Sequence, residues 1–364
     1  MGLWPRRRDR LEKKQFDNRI RVGLLGATGI VGQQLVVLLD RHPWFQLTWL
    51  GTSERSSGRR YGDLPWRLPG KVPDSAAGLR VESLRPVGAP HMVFSVLDGV
   101  AAGEVERDFA VAGHYVVSNA RDFRMDPLVP LLVPVVNAHH LDLLATQQRK
   151  KGWSGAIVTN PHCRALFLAV VLEALRDFDV QRVIVTPLEA PSGTGYPDVP
   201  SLDVISNVIP WMEREGDEIE AETQKVLGRL AGDAIEADPI RISHSPVLQN
   251  QMEMVSVELR ERVSTERVAE AFREFSGARQ AFPLPSAPAK PIAVHGERDR
   301  PQQHLDTESA RGTVVHVGSL GECSVLDYKF VIFRHNTIRG AAGAALLNAE
   351  LIVARSFSAR QTKL

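Results

Sequence analysis

Cysteine is scarce in this chain: two residues in 364, Cys163 and Cys323, which cannot build a disulfide framework. That usage fits a reducing compartment, and a cytoplasmic location is expected. Aromatic residues make up only 6%. No apolar run is long enough to span a bilayer, so no membrane role is expected. Charge of one sign is lacking too: the net charge is +1, and nothing steers the whole chain toward nucleic acid or a membrane surface. Internal repeats and low-complexity segments are absent from the sequence. The one basic run, Arg6, Arg7, Arg8, Arg10, Lys13 and Lys14, has no apolar core of the signal-peptide kind. It also carries Asp9 and Glu12, which argues against a transit peptide. Residues 1–18 therefore read as a solvated, disordered tail rather than a nucleic-acid arm.

What is present points to two domains. Arg19–Leu25 reads as a strand and Gln33–Arg41 as a helix. Between them runs Gly26-Ala27-Thr28-Gly29-Ile30-Val31-Gly32, a variant of the dinucleotide fingerprint. Glycines let the backbone approach a pyrophosphate seated on the helix N-terminus, so Gly26, Thr28, Gly29, Ile30 and Val31 are candidate cofactor residues. The next strand, Gln46–Leu50, leads into a loop with Ser53, Arg55 and Ser56. An acidic residue there would hold the ribose hydroxyl of NAD; serines and arginine suit the extra phosphate of NADP. Met92–Ser95 and Tyr115–Ser118 read as further parallel strands flanking a helix over Val100–Ala112. The alternation predicts an α/β fold with a Rossmann-type doubly wound parallel sheet. Asn119 sits at a strand's C-terminal end, where such folds place ligands. Arg124 follows in a short loop, either as an anion clamp or as a surface salt bridge.

The stretch Thr159-Asn160-Pro161-His162-Cys163-Arg164 joins a buried strand, Gly155–Thr159, to a nearly all-apolar helix, Arg164–Phe178. Asn160 is a good N-cap and Pro161 suits the first helical position. Cys163 then lies in the first turn, where unpaired N–H groups and the helix dipole favour the thiolate. It is a candidate nucleophile; a small buried core residue is the alternative. Beyond it, strands are expected at Gln181–Leu188, Met252–Arg260, Thr313–Gly318 and Tyr328–Arg334, and helices at Glu213–Leu230, Val263–Ser276 and Asn336–Ala354. Phe282–Gln303 is Pro-rich. This half reads as an α+β domain. The small residues of the last helix suggest that it packs back on the nucleotide domain.

Together these pieces resemble the aspartate-semialdehyde dehydrogenase family, in the fungal and archaeal branch that also includes a malonyl-CoA reductase. The segments that carry the resemblance are Gly26–Gly32, the Cys163 stretch, Ser192–Asp203 and His335–Gly343. It implies an NADP-binding domain over 19–160, joined by the C-terminal helix 337–357, and a catalytic and dimerisation domain over 161–336. It also implies a homodimer or homotetramer in amino-acid biosynthesis. In such enzymes a cysteine adds to an aldehyde, hydride passes to NADP, and phosphate cleaves the resulting thioester. Cys163 matches the nucleophile, Ser192 and Gly193 match positions near the nicotinamide, and Asn336 matches a cofactor contact. Arg124 matches a phosphate-holding arginine, and Glu215 an acid that pairs with the substrate amino group.

The departures fall in one chemical constellation. Gln251 stands where the resemblance calls for the acid/base histidine, in the segment Asn250-Gln251-Met252-Glu253. His244 replaces an arginine that grips the substrate carboxylate, and Glu218 replaces a phosphate-binding lysine. Glu189 takes the place of a glutamine in the strand-end loop, while His162 and Arg164 flank the cysteine. Glutamine cannot carry a proton near neutral pH, and losing a general acid/base costs about 10²- to 10⁴-fold in rate. Because adjacent helical side chains diverge by about 100°, His162 is not expected to pair with Cys163. Two readings follow: an NADP-dependent semialdehyde dehydrogenase or acyl reductase with an altered small-molecule substrate, or a catalytically silent nucleotide-binding homologue acting as a regulatory or structural subunit.

Overall fold

The computed structural model describes residues 19–97, 102–188, 215–245, 252–277, 283–306, 314–333 and 340–361, without the side chains of 215, 303, 304 and 357–361. The basic tail, Glu189, Ser192, Gly193, Gln251 and Asn336 lie outside the described residues, as does the side chain of Glu215. The chain forms two compact units: Met1–Ala120 with Gly152–Ile157, and Arg121–Lys151 with Val158–Leu364.

The first unit is built on six strands: β1 (Ile20–Leu25), β2 (Phe45–Thr52), β3 (Val81–Ser83), β4 (Met92–Ser95), β5 (Tyr115–Ser118) and β6 (Ala156–Thr159). β6 carries the chain into the second unit. The sheet order is β3-β2-β1-β4-β5-β6. The pairings of β1 with β2 and β4, of β2 with β3, and of β4 with β5 are parallel. The order reverses between β1 and β4, the switch point where open α/β sheets bind ligands. All four residues of β4 are buried, as expected of a strand covered on both faces. Helices α1 (Ile30–Leu39) and α2 (Ala102–Val111) follow β1 and β4. Leu24, Leu25, Phe45, Leu50 and Phe94 of the sheet and Phe109 of α2 are fully buried.

The second unit begins with α3 (Leu143–Lys151) and α4 (Cys163–Ala174). There follow β7 (Val180–Leu188), α5 (Glu215–Leu227), a hairpin of β8 (Arg229–Ala231) and β9 (Ala234–Glu236), β10 (Arg241–His244), β11 (Met252–Leu259) and α6 (Thr265–Glu274). It ends with β12 (Ile292–Val294), β13 (Val315–Glu322), β14 (Tyr328–Phe333) and α7 (Ala342–Gln361). Its mixed sheet has the order β10-β7-β11-β14-β13-β12. Strand alternation sorts its two faces. Val183, Val185, Val255 and Val257 are buried with Leu166, Val170, Val226 and Phe272 of the helices, whereas Ile184 and Met254 on the other face are 45% exposed. Nine successive residues of α4, Arg164–Leu172, are buried, which explains a sequence apolar all round.

Two sequence expectations change. Asn160 is not the cap of α4; His162 is, with φ −52° and ψ 142°, and its Nδ1 accepts the Arg164 N–H at 3.4 Å. Asn160 is engaged elsewhere, donating to Ala341 O at 3.2 Å and accepting from Asn348. The glycine loop is shorter than read: Gly29 caps α1, which starts at Ile30 rather than Gln33. The C-terminal helix bonds to residues before 160, through Asn348 to Leu132 O and Arg355 to Ala138 O. That block belongs to the compact unit of Arg121–Lys151 and Val158–Leu364.

Candidate active site

In the first unit, the turn after β1 has the geometry of a phosphate cradle. Gly26 has φ +81°, and a Cβ there would meet Val96 O at 2.7 Å. At Gly32 a Cβ would come within 2.4 Å of Gly26 O, so helix and turn pack this closely only with glycine at both positions. Gln33, buried at the base of α1, fixes the turn: its Nε2 donates to Thr28 O (3.3 Å) and Pro65 O (2.8 Å), and its Oε1 accepts from Arg67 N (2.8 Å). Gly29 and Ile30 are exposed, Thr28 and Val31 half-buried. No side chain caps α1 and no acidic residue sits in its first turn, which suits an anion at that end. After β2, Ser53 and Arg55 are exposed and Ser56 half-buried, in a turn closed by Ser56 N–H to Ser53 O at 3.0 Å. Backbone cradle, free helix end and exposed serine and guanidinium groups fit a dinucleotide with an extra phosphate. Half-buried Asn119 lies at the end of β5, its N–H bonded to Ser95 O at 2.9 Å.

The second unit holds the thiol. Cys163 is the first residue of α4 and is half-buried. His162 does reach it: Nδ1 lies 4.0 Å from Sγ, contrary to the expectation that adjacent side chains diverge. The reason is conformational. As the cap, His162 is outside the helix, so the helical 100° spacing does not apply and its ring folds over the first turn. Burial, then Arg124, Arg164 and His244, hold its imidazole well below its usual pKa, so it is neutral at physiological pH. Gly340 packs directly against Cys163; a Cβ there would come within 2.9 Å of the Cys163 Cβ.

Glu222 of α5, 3% exposed, links the remaining parts. One oxygen accepts from Arg124 Nη1 at 3.1 Å, and the other accepts the His162 N–H. Arg124 is thus held in a buried ion pair, not a surface one; the side chains are 14% and 4% exposed. Lys225, one turn on, donates to the carbonyls of Arg124 (2.6 Å), Asp126 (2.7 Å) and Val129 (2.9 Å), fixing the Arg124 loop. Burial pulls its pKa down to about 8. Glu218 instead pairs with Arg121 on the surface.

His244 and Glu253 lie on the sheet face that α4 and α5 cover, each 5% exposed. Burial and then the Arg164 charge lower His244 to about 3. Burial raises Glu253 to about 8, with Arg164 opposing. His244 Nδ1 and Nε2 and Glu253 Oε2 have no hydrogen-bond partner among the described residues. Glu222, Lys225 and Glu253 were not singled out as site residues by the sequence. Glu222 and Lys225 sit on one face of an acidic helix, and only their burial separates them from its solvated charges.

A third polar cluster, His295, His316 and Asp306, has ligand atoms within 4.8 Å of one another. Its groups already serve each other. The imidazoles share a 2.8 Å hydrogen bond, and Asp306 accepts from Arg300 Nε at 2.9 Å and Gln302 N–H at 2.7 Å.

Residues 21–144 match the semialdehyde dehydrogenase NAD-binding domain and residues 172–339 the semialdehyde dehydrogenase dimerisation domain. The chain is 42% identical to the aspartate-semialdehyde dehydrogenase of Archaeoglobus fulgidus over 92% of its own length and 98% of that protein's. It is also 42% identical to that of Cryptococcus neoformans over 92% and 97%. Among solved structures, the Candida albicans aspartate-semialdehyde dehydrogenase with NADP superposes with a TM-score of 0.85 at 34% identity, covering 93% of this chain and 99% of that one. Sequence likeness over nearly the whole length, both domains and the shared architecture all agree: the chain belongs to the aspartate-semialdehyde dehydrogenase family.

Proposed function

We propose that this chain interconverts an activated acyl group and its aldehyde through a thioester on Cys163, with NADP as redox partner. The carrying observation is the thiol at the first position of α4, beside a neutral imidazole at 4.0 Å and a buried arginine–glutamate pair. The N-terminal end of α4 and the guanidinium charges of Arg124 and Arg164 favour the negative charge that addition of the thiol places on a carbonyl oxygen. NADP, when bound, supplies the hydride donor or acceptor. Gly26, Thr28, Gly29, Ile30 and Val31 would carry its pyrophosphate, and Ser53, Arg55 and Ser56 its extra phosphate. Ser192, Gly193 and Asn336 would join it, and Asn119, Glu189 and Glu215 the substrate. The second unit would pair two copies as a homodimer.

Relatives are named for aspartate semialdehyde, and a semialdehyde or acyl derivative of that class is the substrate proposed here. Neutral His244 cannot form an ion pair with a carboxylate, and Glu218 repels phosphate while engaged by Arg121. These features favour a modified aspartate, another acyl phosphate or an acyl thioester over aspartate semialdehyde with phosphate. Gln251 favours a second reading, a silent nucleotide-binding subunit. The test is NADPH oxidation with β-aspartyl phosphate and with short acyl-CoA thioesters, and NADP reduction with aspartate semialdehyde and phosphate, alongside Cys163→Ala. Turnover that Cys163→Ala abolishes supports the enzyme. NADPH binding with no turnover on any donor supports the silent reading. Rapid turnover of aspartate semialdehyde with phosphate overturns the altered substrate.

A further inference from the structure

We infer that Glu253 is the acid–base group of this site, donating the proton that the carbonyl oxygen takes up as Cys163 adds to the aldehyde. The inference rests on the thioester reading above. In that step the thiolate sulfur bonds the carbonyl carbon, and the C=O π pair moves to oxygen. The oxygen takes the Glu253 proton, leaving a carboxylate and a neutral thiohemiacetal. The same carboxylate is then placed to take the hydroxyl proton back when the thiohemiacetal is consumed.

Position comes first. His244 pairs with Val185 across β10 and β7, Val185 with Val255 across β7 and β11, and Glu253 with Pro187. Strand alternation therefore puts Glu253 and His244 on the face shared by Val183, Val185, Val255 and Val257, which α4 and α5 cover. α4 brings Cys163 and Arg164 to that face, and the Arg164 charge is felt at both His244 and Glu253. Three polar atoms there, Glu253 Oε2 and both His244 ring nitrogens, are buried without partners among the described residues. Leaving such atoms unpaired is costly, and native proteins rarely do so outside sites where a ligand or reaction satisfies them.

Elimination comes next. Gln251 carries no transferable proton. His162 and His244 are neutral, and protonating either would add a cation beside Arg164. Among the described residues here, Glu253 alone is an uncharged acid at neutral pH whose conjugate base the Arg164 charge stabilises. Burial and then the Arg164 charge from α4 set its titration; His244, on β10 beyond β7, is neutral, and its N–H is held by Glu220 of α5 at 2.8 Å. Pro187 and Ile332, its neighbours on β7 and β14, do not ionise.

The test follows thiohemiacetal formation in the full-length protein without cofactor. Aspartate semialdehyde labelled with carbon-13 at the aldehyde is the probe, read by the carbon resonance of the adduct from pH 6 to 10. The wild type should give a bell-shaped rate profile whose descending limb lies near pH 8. Glu253→Gln should slow addition about 10²- to 10⁴-fold and lose that limb; Glu253→Asp should restore part of both. The infrared band of a protonated carboxyl should vanish between pH 7 and 9 in the wild type and be absent from Glu253→Gln. Wild-type rate and profile in Glu253→Gln, or no such band in the wild type, would overturn the assignment while leaving the thioester intact. No adduct on Cys163 in the wild type, with this probe or with a second carbon-13-labelled short-chain aldehyde, would overturn both.

Discussion

Replacing Glu222 tests how the site is held together. Its carboxylate joins Arg124 at 3.1 Å to the His162 N–H at the start of α4, with both ion-pair side chains largely buried. Removing one partner of a buried pair leaves the other charge without compensation, at about 3–5 kcal/mol. Glu222→Leu removes a charge partner of Arg124 and the acceptor of the His162 N–H together, so it should reach the upper part of that range. Glu222→Gln keeps shape and one oxygen acceptor, losing only the charge; about 1.5–3 kcal/mol is expected. Because the pair is buried, raising salt from 0.1 to 0.5 M should change either figure little. Tryptophan fluorescence is a poor probe, since none of the six tryptophans lies in α4. Amide hydrogen exchange along α4 reads the loss directly, as faster exchange of its protected amides. If α4 in Glu222→Leu exchanges within 1 kcal/mol of wild type, or the two variants are equal, the keystone role assigned to Glu222 is wrong.

Other consequences follow from single side chains. Glu253 has a folded pKa of about 8 against an ordinary 4.5, so the native state holds more protons between those values. Stability from this group is complete below about pH 4.5 and is lost as pH rises through 8, with a ceiling of about 5 kcal/mol. Glu253→Gln should therefore gain on the wild type in urea unfolding from pH 6 to pH 9. Gly32→Ala places a Cβ 2.4 Å from Gly26 O; NADPH affinity by fluorescence titration should fall at least tenfold while thiol reactivity at Cys163 stays. Gly340→Ala forces a Cβ within 2.9 Å of the Cys163 Cβ; a cost of about 1–3 kcal/mol and slower Cys163 alkylation should appear together.

Apolar strands set between polar turns were legible in the sequence. Met92–Ser95 and Tyr115–Ser118 have the ends read from it, because a fully apolar strand between polar turns has one reading. β3 and β10 were missed because Val81-Glu82-Ser83 and Arg241-Ile242-Ser243-His244 are mostly polar, and β12 because it lies in the Pro-rich Phe282–Gln303. Around the cysteine, composition placed the thiol in the first helical turn but misjudged the cap. Asn160 has the better capping side chain, yet the bond from Asn348, 188 residues later, takes it. His162 was read with helical geometry, and only its backbone angles show how its ring reaches the sulfur. Burial, invisible to local pattern, separates Glu222 and Glu253 from the surface acids around them.

The most direct test uses the two cysteines against each other. Cys323 is half-buried, and hydrogen bonds from the Leu326 and Val325 amides lower its thiol pKa, so alkylation alone does not single out a nucleophile. The protein is mixed with its acyl donor, quenched in acid and mapped by mass spectrometry. The account predicts an acyl group on Cys163 alone, removed by hydroxylamine, with substrate protecting Cys163 but not Cys323 from iodoacetamide. Turnover without an acyl group on Cys163, or undiminished in Cys163→Ala, would contradict it.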